Sequence, residues 1–257
     1  MAREKIRLFE QGCLTMIRVG TSGWSYEHWR KLFYPESLSQ REWLQFYSSN
    51  FDTVEINSTF YRLPFENMVK GWYRKTPEGF LFSVKGSRLI THKKRLRDVE
   101  EDVGRFMERV KQLEEKLGIV LWQFPPSLKK DVELLKDFLD VLPKIVKHTV
   151  EFRHKSWFCD EVFETLGEKG VALCIVDSSR IKSPWVVTSD FAYVRFHGPG
   201  GLYASEYGPE RLKEMARKIL ELNVDTFVYF NNDFEGYAIK DANLLKEFLY
   251  NLQGEEG

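Results

Sequence analysis

The run IRVGTSGW (Ile17–Trp24) is a short apolar stretch that ends in hydroxyls, glycine and an aromatic ring, and seven later runs repeat its grammar. These are Thr53–Tyr61, Phe80–Lys85, Gly118–Phe124, Thr149–Arg153, Val171–Asp177, Ala192–His197 and Thr226–Asn231, all enriched in β-branched or aromatic residues. Between most of them apolar residues recur at three-to-four spacing: Arg41–Ser49, Glu66–Lys75, Val99–Leu117, Asp131–Leu142, Glu161–Lys169, Glu210–Leu222 and Ala242–Leu252. Ser39 and Asp241 stand where helix N-caps are expected. Gly118 and Gly170 stand where a C-cap glycine would release the chain into a strand.

Strand and helix alternating through short connections predict a parallel sheet covered by helices. Eight such units in 257 residues predict an α/β protein, a closed (β/α)8 TIM barrel, as one domain over residues 16–257. An open doubly wound sheet is the rival. It would want GxGxxG after the first strand, and GTSGW does not supply it. The segment Ser178–Asp190 contains Pro184 and lacks a helical period, so the sixth helix is expected to be reduced or missing.

Composition narrows the classes of function. Hydrophobic residues make up 43% and charged residues 30%, as in a folded globular chain. Lys+Arg and Asp+Glu balance at 38 each, so no global field draws the protein to nucleic acid or a membrane. No apolar run approaches the ~20 residues of a membrane span. Cys13, Cys159 and Cys174 are too scattered for a disulfide framework or a metal knuckle, which suggests a reducing compartment. Residues 1–15 lack the apolar centre of a secretory signal, and Met16 offers a second start just before the first strand. An N-terminal tail over residues 1–15, open to disorder, on a cytoplasmic protein is the expectation.

In such a barrel, polar residues at the carboxyl ends of strands face the mouth where sites are built. Alternation assigns Val54, Ile56, Val150, Phe152, Val194 and Phe196 to the helix side. Glu55 and Asn57, Glu151 and Arg153, and Tyr193, Arg195 and His197 then point inward. The third run contributes Ser83 and Lys85, the fourth Gln123, the sixth Asp177, and the eighth Asn231–Asn232–Asp233. Trp122 and Phe124 are assigned to packing.

Two carboxylates on separate strands, Glu55 and Glu151, suit general acid and base work, with His197 in proton transfer. The competing reading is a buried ion-pair network with Arg153 and Arg195, and a core imidazole at His197. Lys85 opens a basic run, Lys85–Arg97. With Trp24, Tyr26, Trp29, Tyr34, Phe60 and Tyr61 it can cradle an anionic, planar or sugar-bearing ligand by charge and stacking, nucleic acid included. The alternative is a solvated charge run and a plug of aromatics. HExxH and paired CxxC are absent, so no cofactor is expected. A single divalent ion held by His197, Glu55 and Asp177 stays open.

The motifs GTSGWSYEHW, Tyr34–Pro35, VEINSTFYRLP, VKGSRLITH, WQFPPSL, EFRHKSW, YVRFHGPG and YFNND with Asp241–Asn243 together resemble the YecE-like family, domain of unknown function seventy-two. The resemblance runs from about Ile17 to the C-terminal helix and implies a TIM barrel without implying an activity. Its motif positions here are Gly20, Ser22, Trp24, Glu55, Asn57, Tyr61, Lys85, His92, Gln123, Glu151, Arg153, Asp177, Arg195, His197, Asn231 and Asn232. The outline is also similar to that of abasic-site endonucleases and sugar isomerases, but the histidines of the endonuclease zinc site are lacking here. The leading expectation is a hydrolase or related acid–base enzyme on a phosphorylated or nucleic-acid-like substrate. In it Lys85, Arg153 and Arg195 neutralise the substrate's charge, and Trp24 and Tyr61 stack on it. The alternatives are a carbohydrate-active barrel and a non-catalytic nucleotide- or nucleic-acid-binding barrel.

Overall fold

The computed structural model describes residues 15–201 and 203–255. All eight expected runs form strands: β1 (Ile17–Thr21), β2 (Thr53–Ile56), β3 (Leu81–Lys85), β4 (Leu117–Gln123), β5 (Lys147–Glu151), β6 (Ala172–Asp177), β7 (Phe191–Phe196) and β8 (Asp225–Phe230). Every pairing is parallel, in the order β1-β8-β7-β6-β5-β4-β3-β2. The remaining seam, between β1 and β2, is joined by a parallel bridge from Ser22 to Glu55. The result is a nearly closed eight-stranded barrel of TIM-like form.

Gly20 lies at that seam for a steric reason. A Cβ there would stand 2.3 Å from the Thr53 carbonyl oxygen, so only glycine lets β2 approach.

Helices cover the outside: α1 (Trp43–Asn50), α2 (Ser58–Tyr61), α3 (Glu66–Lys75), α4 (Glu100–Val110), α5 (Val132–Asp140), α6 (Asp160–Glu168), α7 (Pro209–Glu221) and α8 (Tyr237–Glu255). Among the described residues no helix lies between β6 and β7, where Pro184 sits. The core has two parts. Val54, Ile56, Trp122, Phe124, Val150, Phe152, Val194 and Phe196 pack between the sheet and the helices. Leu121, Ala172, Cys174, Val176, Tyr193, Phe227 and Tyr229 fill the barrel interior. Strand alternation alone separates the two sets.

Some local expectations need correction. The second run stops at Ile56, because Asn57 takes helical backbone angles and leads into α2. The helix expected over Val99–Leu117 ends at Val110 and tightens into a narrower turn, where Glu114 (φ 52°) breaks it. Gly118 is therefore inside β4 and caps nothing, whereas Gly170 has the left-handed φ of +65° expected of a cap. Ser39 does form a capping box with Glu42. Asp241 does not cap a helix: α8 begins four residues earlier, at Tyr237. Residues 1–14, most of the expected tail and Cys13 with it, lie outside the described residues.

Candidate functional site

The barrel interior ends in a layer of tyrosines that floors the mouth. The rings of Tyr193 and Tyr229, on the paired strands β7 and β8, lie 5.1 Å apart, and their hydroxyls reach across to Glu55 and Thr53 on β2. The Tyr193 hydroxyl donates to Glu55 Oε2 at 2.6 Å, so its only proton is used. Its 2.6 Å bond with Ser83 Oγ must then be donated by the serine. Ser83 is thus part of the floor and not a free nucleophile.

On this floor rests a charge network centred on Arg195, whose side chain is 1% exposed. One guanidinium nitrogen, Nη2, donates to Glu55 Oε1 at 2.7 Å, and the other, Nη1, donates to Glu151 Oε2. Glu55 also accepts from Ser22 Oγ at 2.8 Å across the β1–β2 seam. Glu151 accepts from Gln123 Nε2 at 2.7 Å and is ion-paired with Arg153 Nε. Burial alone would raise the Glu151 carboxyl, but Arg153 and Arg195, with Lys85 beyond them, hold it well below its ordinary value. Glu151 stays ionised, and each of its oxygens is taken by a cation. Burial works against the charge on Arg195, yet Glu55 and Glu151 hold its pKa well above the usual value.

His197 closes the network from above. Its Nε2 lies 3.1 Å from Arg153 Nη2 and 3.4 Å from Arg195 Nη1. Guanidinium nitrogens only donate, so the Nε2 lone pair faces both, and the ring proton sits on Nδ1. Asn231 Nδ2 stands 3.1 Å from Nδ1, and an Nδ1–H requires the Asn231 amide to be assigned with its oxygen at that position instead. Burial and then the two arginines push the His197 pKa well below its ordinary value. The imidazole is neutral with both nitrogens occupied, which suits positioning better than proton uptake.

Lys85 is the exception in this group. It follows from β3 on the inner face, and its Nζ lies 4.3 Å from the Phe60 ring centroid. Among the described residues its Nζ has no hydrogen bond or ion pair. Burial and the neighbouring Arg195 lower its pKa, which Glu151 and Glu55 only partly oppose, to about 8. Phe60 is the hub of the rim beside it, met edge-on by Tyr61 at 5.0 Å and by His92 at 4.9 Å. Burial and Lys85 push the His92 ring down to about 4, so it too is neutral. Asn57 stands one residue beyond the paired Ile56 and Val84, at the level of Lys85. Its buried Oδ1 has no partner among the described residues.

Ser22, Glu55, Gln123, Glu151, Arg153, Arg195, His197 and Asn231 are therefore brought together, with Lys85, Asn57 and His92 beside them. Tyr61 is 71% exposed at the rim. Trp24 is half-buried and packs edge-on against Trp72 of α3 at 5.8 Å, which commits its ring to packing.

Two expected residues lie elsewhere. Cys174 and Val176 point into the barrel, so Asp177 points out and binds the Tyr207 hydroxyl (2.9 Å) and Arg211 (2.9 Å). Asn232, next to the inward Asn231, likewise turns to the outer layer and donates to Asp241 Oδ2 at 2.6 Å. With Asp177 facing away from Glu55 and His197, the metal site considered for those three residues is not formed. Among the described residues no group of three or more His, Cys, Asp or Glu side chains is placed to hold a metal ion.

The basic run also proves more committed than its sequence suggests. Lys94 pairs with Asp102, Arg97 with Asp131, and Arg95 donates to Ser127. Sequence reading places Asp233 at the end of the eighth run and gives it no role. It accepts from Trp29 Nε1 at 2.7 Å and meets His28 Nε2 at 3.1 Å, and burial raises its carboxyl to about 6. The signal was present in the spacing of Trp29 and His28 on the first loop, but only closure of the barrel sets that loop against the end of β8.

A nearly closed parallel α/β barrel with a charged, partly aromatic mouth at its carboxyl end defines the class. The chain belongs to the DUF72 family, described as a protein family of unknown function, which it matches over residues 18–255. It is similar to YunF of Bacillus subtilis, a UPF0759 protein, at 30% identity over 91% of this chain and 95% of that one. Similarity to YecE of Escherichia coli K12, at 31% identity, covers 63% of this chain and 60% of YecE. A solved DUF72 family protein of Thermotoga maritima superposes with a TM-score of 0.84 at 35% identity, over 91% of this chain and 99% of the other. A second, from Enterococcus faecalis, shares the fold with a TM-score of 0.80 at 23% identity, covering 91% and 95%.

Proposed function

We propose that the chain is an enzyme acting on a small phosphorylated anion held in the barrel mouth, as a hydrolase or related acid–base catalyst. The observation that carries this reading is the cation left over. Glu55 is matched by Arg195 and Glu151 by Arg153, while Lys85 faces the same opening without a counter-ion. A desolvated surplus charge of this kind favours binding of an anion. Arg153 is 13% exposed, and its guanidinium supplies the fork beside Lys85 that recognises a phosphate or carboxylate.

Within this reading Glu151 anchors Arg153 and Arg195 and does not exchange protons. Proton transfer falls to a group that titrates near neutrality, Lys85 at about 8. A glycosidase needs one carboxylic acid protonated opposite a carboxylate, and an ionised Glu151 clasped by two arginines does not supply it. Long nucleic acid is disfavoured because Lys94, Arg95 and Arg97 are tied to neighbouring loops.

The test is a panel of phosphomonoesters, phosphodiesters and neutral glycosides with the wild type and Arg153→Met. Turnover of a phosphorylated compound that Arg153→Met reduces by roughly tenfold to a hundredfold, mainly through KM, supports the reading. Preference for a neutral glycoside, or equal turnover in both proteins, refutes it.

A further inference from the structure

We propose that the Lys85 amine is a nucleophile that forms an imine with an aldehyde or ketone carried by the anionic substrate. This rests on the mouth being an anion site. Within the acid–base class it moves the chemistry from direct hydrolysis to imine formation.

The geometry separates Lys85 from every other ionisable group of the network. Glu55, Glu151 and His197 are all engaged with the terminal nitrogens of Arg195, whose Nε alone is left without a partner among the described residues, and all four are buried. The Lys85 Nζ has no hydrogen bond or ion pair among the described residues; the residue's backbone carbonyl accepts from Thr59 Oγ1. That Nζ lies against the face of Phe60, which holds the amine without consuming its lone pair. A nucleophilic lysine requires this arrangement, in which desolvation and neighbouring cations keep part of the amine neutral.

The charged and titratable groups facing Lys85 come from several elements: Glu55 on β2, Glu151 and Arg153 at the end of β5, Arg195 on β7, and His92 on the turn after β3. Burial is the largest cause of the fall to about 8, with Arg195 and Arg153 adding to it and Glu151 and Glu55 opposing it. Arg153 is held by Glu151 through Nε and faces His197 through Nη2, so its Nη1 is the atom that holds the anionic group of the same substrate, which fixes the carbonyl near the amine. Asn57 Oδ1, buried without a partner beside Lys85, is an acceptor for a substrate hydroxyl or for the proton on the imine nitrogen.

The step balances without a further reagent. The neutral Nζ attacks the carbonyl carbon, the carbon–nitrogen bond forms, and the π pair moves to oxygen, which takes a proton from solvent. The resulting carbinolamine loses one nitrogen proton and its hydroxyl as water. One amine, one carbonyl and one proton give a protonated imine and one water.

The experiment is reductive trapping of the full chain. Glyoxylate with cyanoborohydride at pH 7 is compared with propionaldehyde, and the modified lysines are located by peptide mapping. The expected result is labelling of Lys85 by glyoxylate roughly tenfold to a hundredfold faster than other lysines, following the larger share of free amine. Inorganic phosphate should slow it, and the rate at Lys85 should reach half its maximum near pH 8, the value set by the surroundings. Lys85→Arg should remove the fast phase.

Labelling spread evenly over the lysines overturns the proposal. So does a Lys85 rate that still climbs beyond the ordinary lysine value, or equal labelling by propionaldehyde and glyoxylate. Phosphate binding is measured separately by calorimetry on the wild type and on Lys85→Arg. Retained binding with no fast labelling defeats the imine and leaves the anion site standing, whereas absent binding in both defeats the anion site itself.

Discussion

Replacing Arg195 by Met should destabilise the barrel severely, because the side chain bridges two carboxylates that are each 0% exposed. Without it Glu55 keeps only the Ser22 and Tyr193 hydroxyls, while Glu151 keeps Gln123 and Arg153. Breaking one partner out of a buried ion pair typically costs about 3–5 kcal/mol, since a charge is left without compensation. For a chain of this size that corresponds to a fall in Tm of roughly 6–20 °C.

Urea unfolding at pH 7, followed by tryptophan fluorescence, measures the loss directly. The slope with denaturant should not change, because the surface exposed on unfolding is nearly the same. The double variant Glu55→Gln with Arg195→Met should recover part of the loss by removing the stranded charge, with a coupling of about 0.5–3 kcal/mol.

The pH dependence has a definite sign. Glu151 has a depressed pKa in the folded protein, so its contribution is present above its ordinary value of 4.5 and is lost as pH falls through the folded value. The gap between wild type and Arg195→Met should therefore narrow on acidification below about pH 4.5. An Arg195→Met protein within about 1 kcal/mol of wild type at pH 7 would show that the network contributes little, and would refute the reasoning.

Three further outcomes are expected. Gly20→Ala should cost about 1–3 kcal/mol in urea unfolding, because a Cβ at 2.3 Å from the Thr53 carbonyl forces β1 and β2 apart; a neutral effect would mean that the seam is looser than it looks. His148 accepts from Trp122 Nε1 through Nδ1 and bonds the Pro143 carbonyl through Nε2, and burial lowers its pKa to about 4. Its nitrogen shifts in NMR should show the Nε2–H form down to about pH 4. Since the unfolded chain takes up this proton first, stability should decline from pH 6.5 to 4, on the order of 3 kcal/mol in all; protonation of His148 near pH 6.5 in the folded protein would contradict this. Asp177→Asn should loosen the Tyr207 and Arg211 contacts by about 1–3 kcal/mol yet leave phosphate affinity at the mouth unchanged, as calorimetry can check.

The strands could be read from the chain because each carries β-branched and aromatic residues between helical stretches, and the mouth because alternation sorts Glu55 from Ile56 and Arg195 from Phe196. The same rule, applied to β6, would have turned Asp177 outward, since Cys174 and Val176 are the inner residues. Assigning Asp177 and Asn232 by their position at a strand end ignored the face on which they stand. The distinction between a catalytic pair and a closed ion network was not readable. It depends on Arg195 reaching both Glu55, 140 positions away, and Glu151, 44 positions away, and on Tyr193 consuming its proton on Glu55. Nor could the sequence show that Lys85 faces the mouth without a counter-ion, because that follows from how Arg153 and Arg195 occupy Glu151 and Glu55 in space.

The most direct measurement is a crystal structure of the full chain grown or soaked in phosphate, with a parallel crystal of Arg153→Met. The account predicts a phosphate in the barrel mouth between Lys85 Nζ and the Arg153 guanidinium in the first crystal and its loss from the second. A mouth that stays free of phosphate, or an anion that settles only on the outer surface, would contradict it.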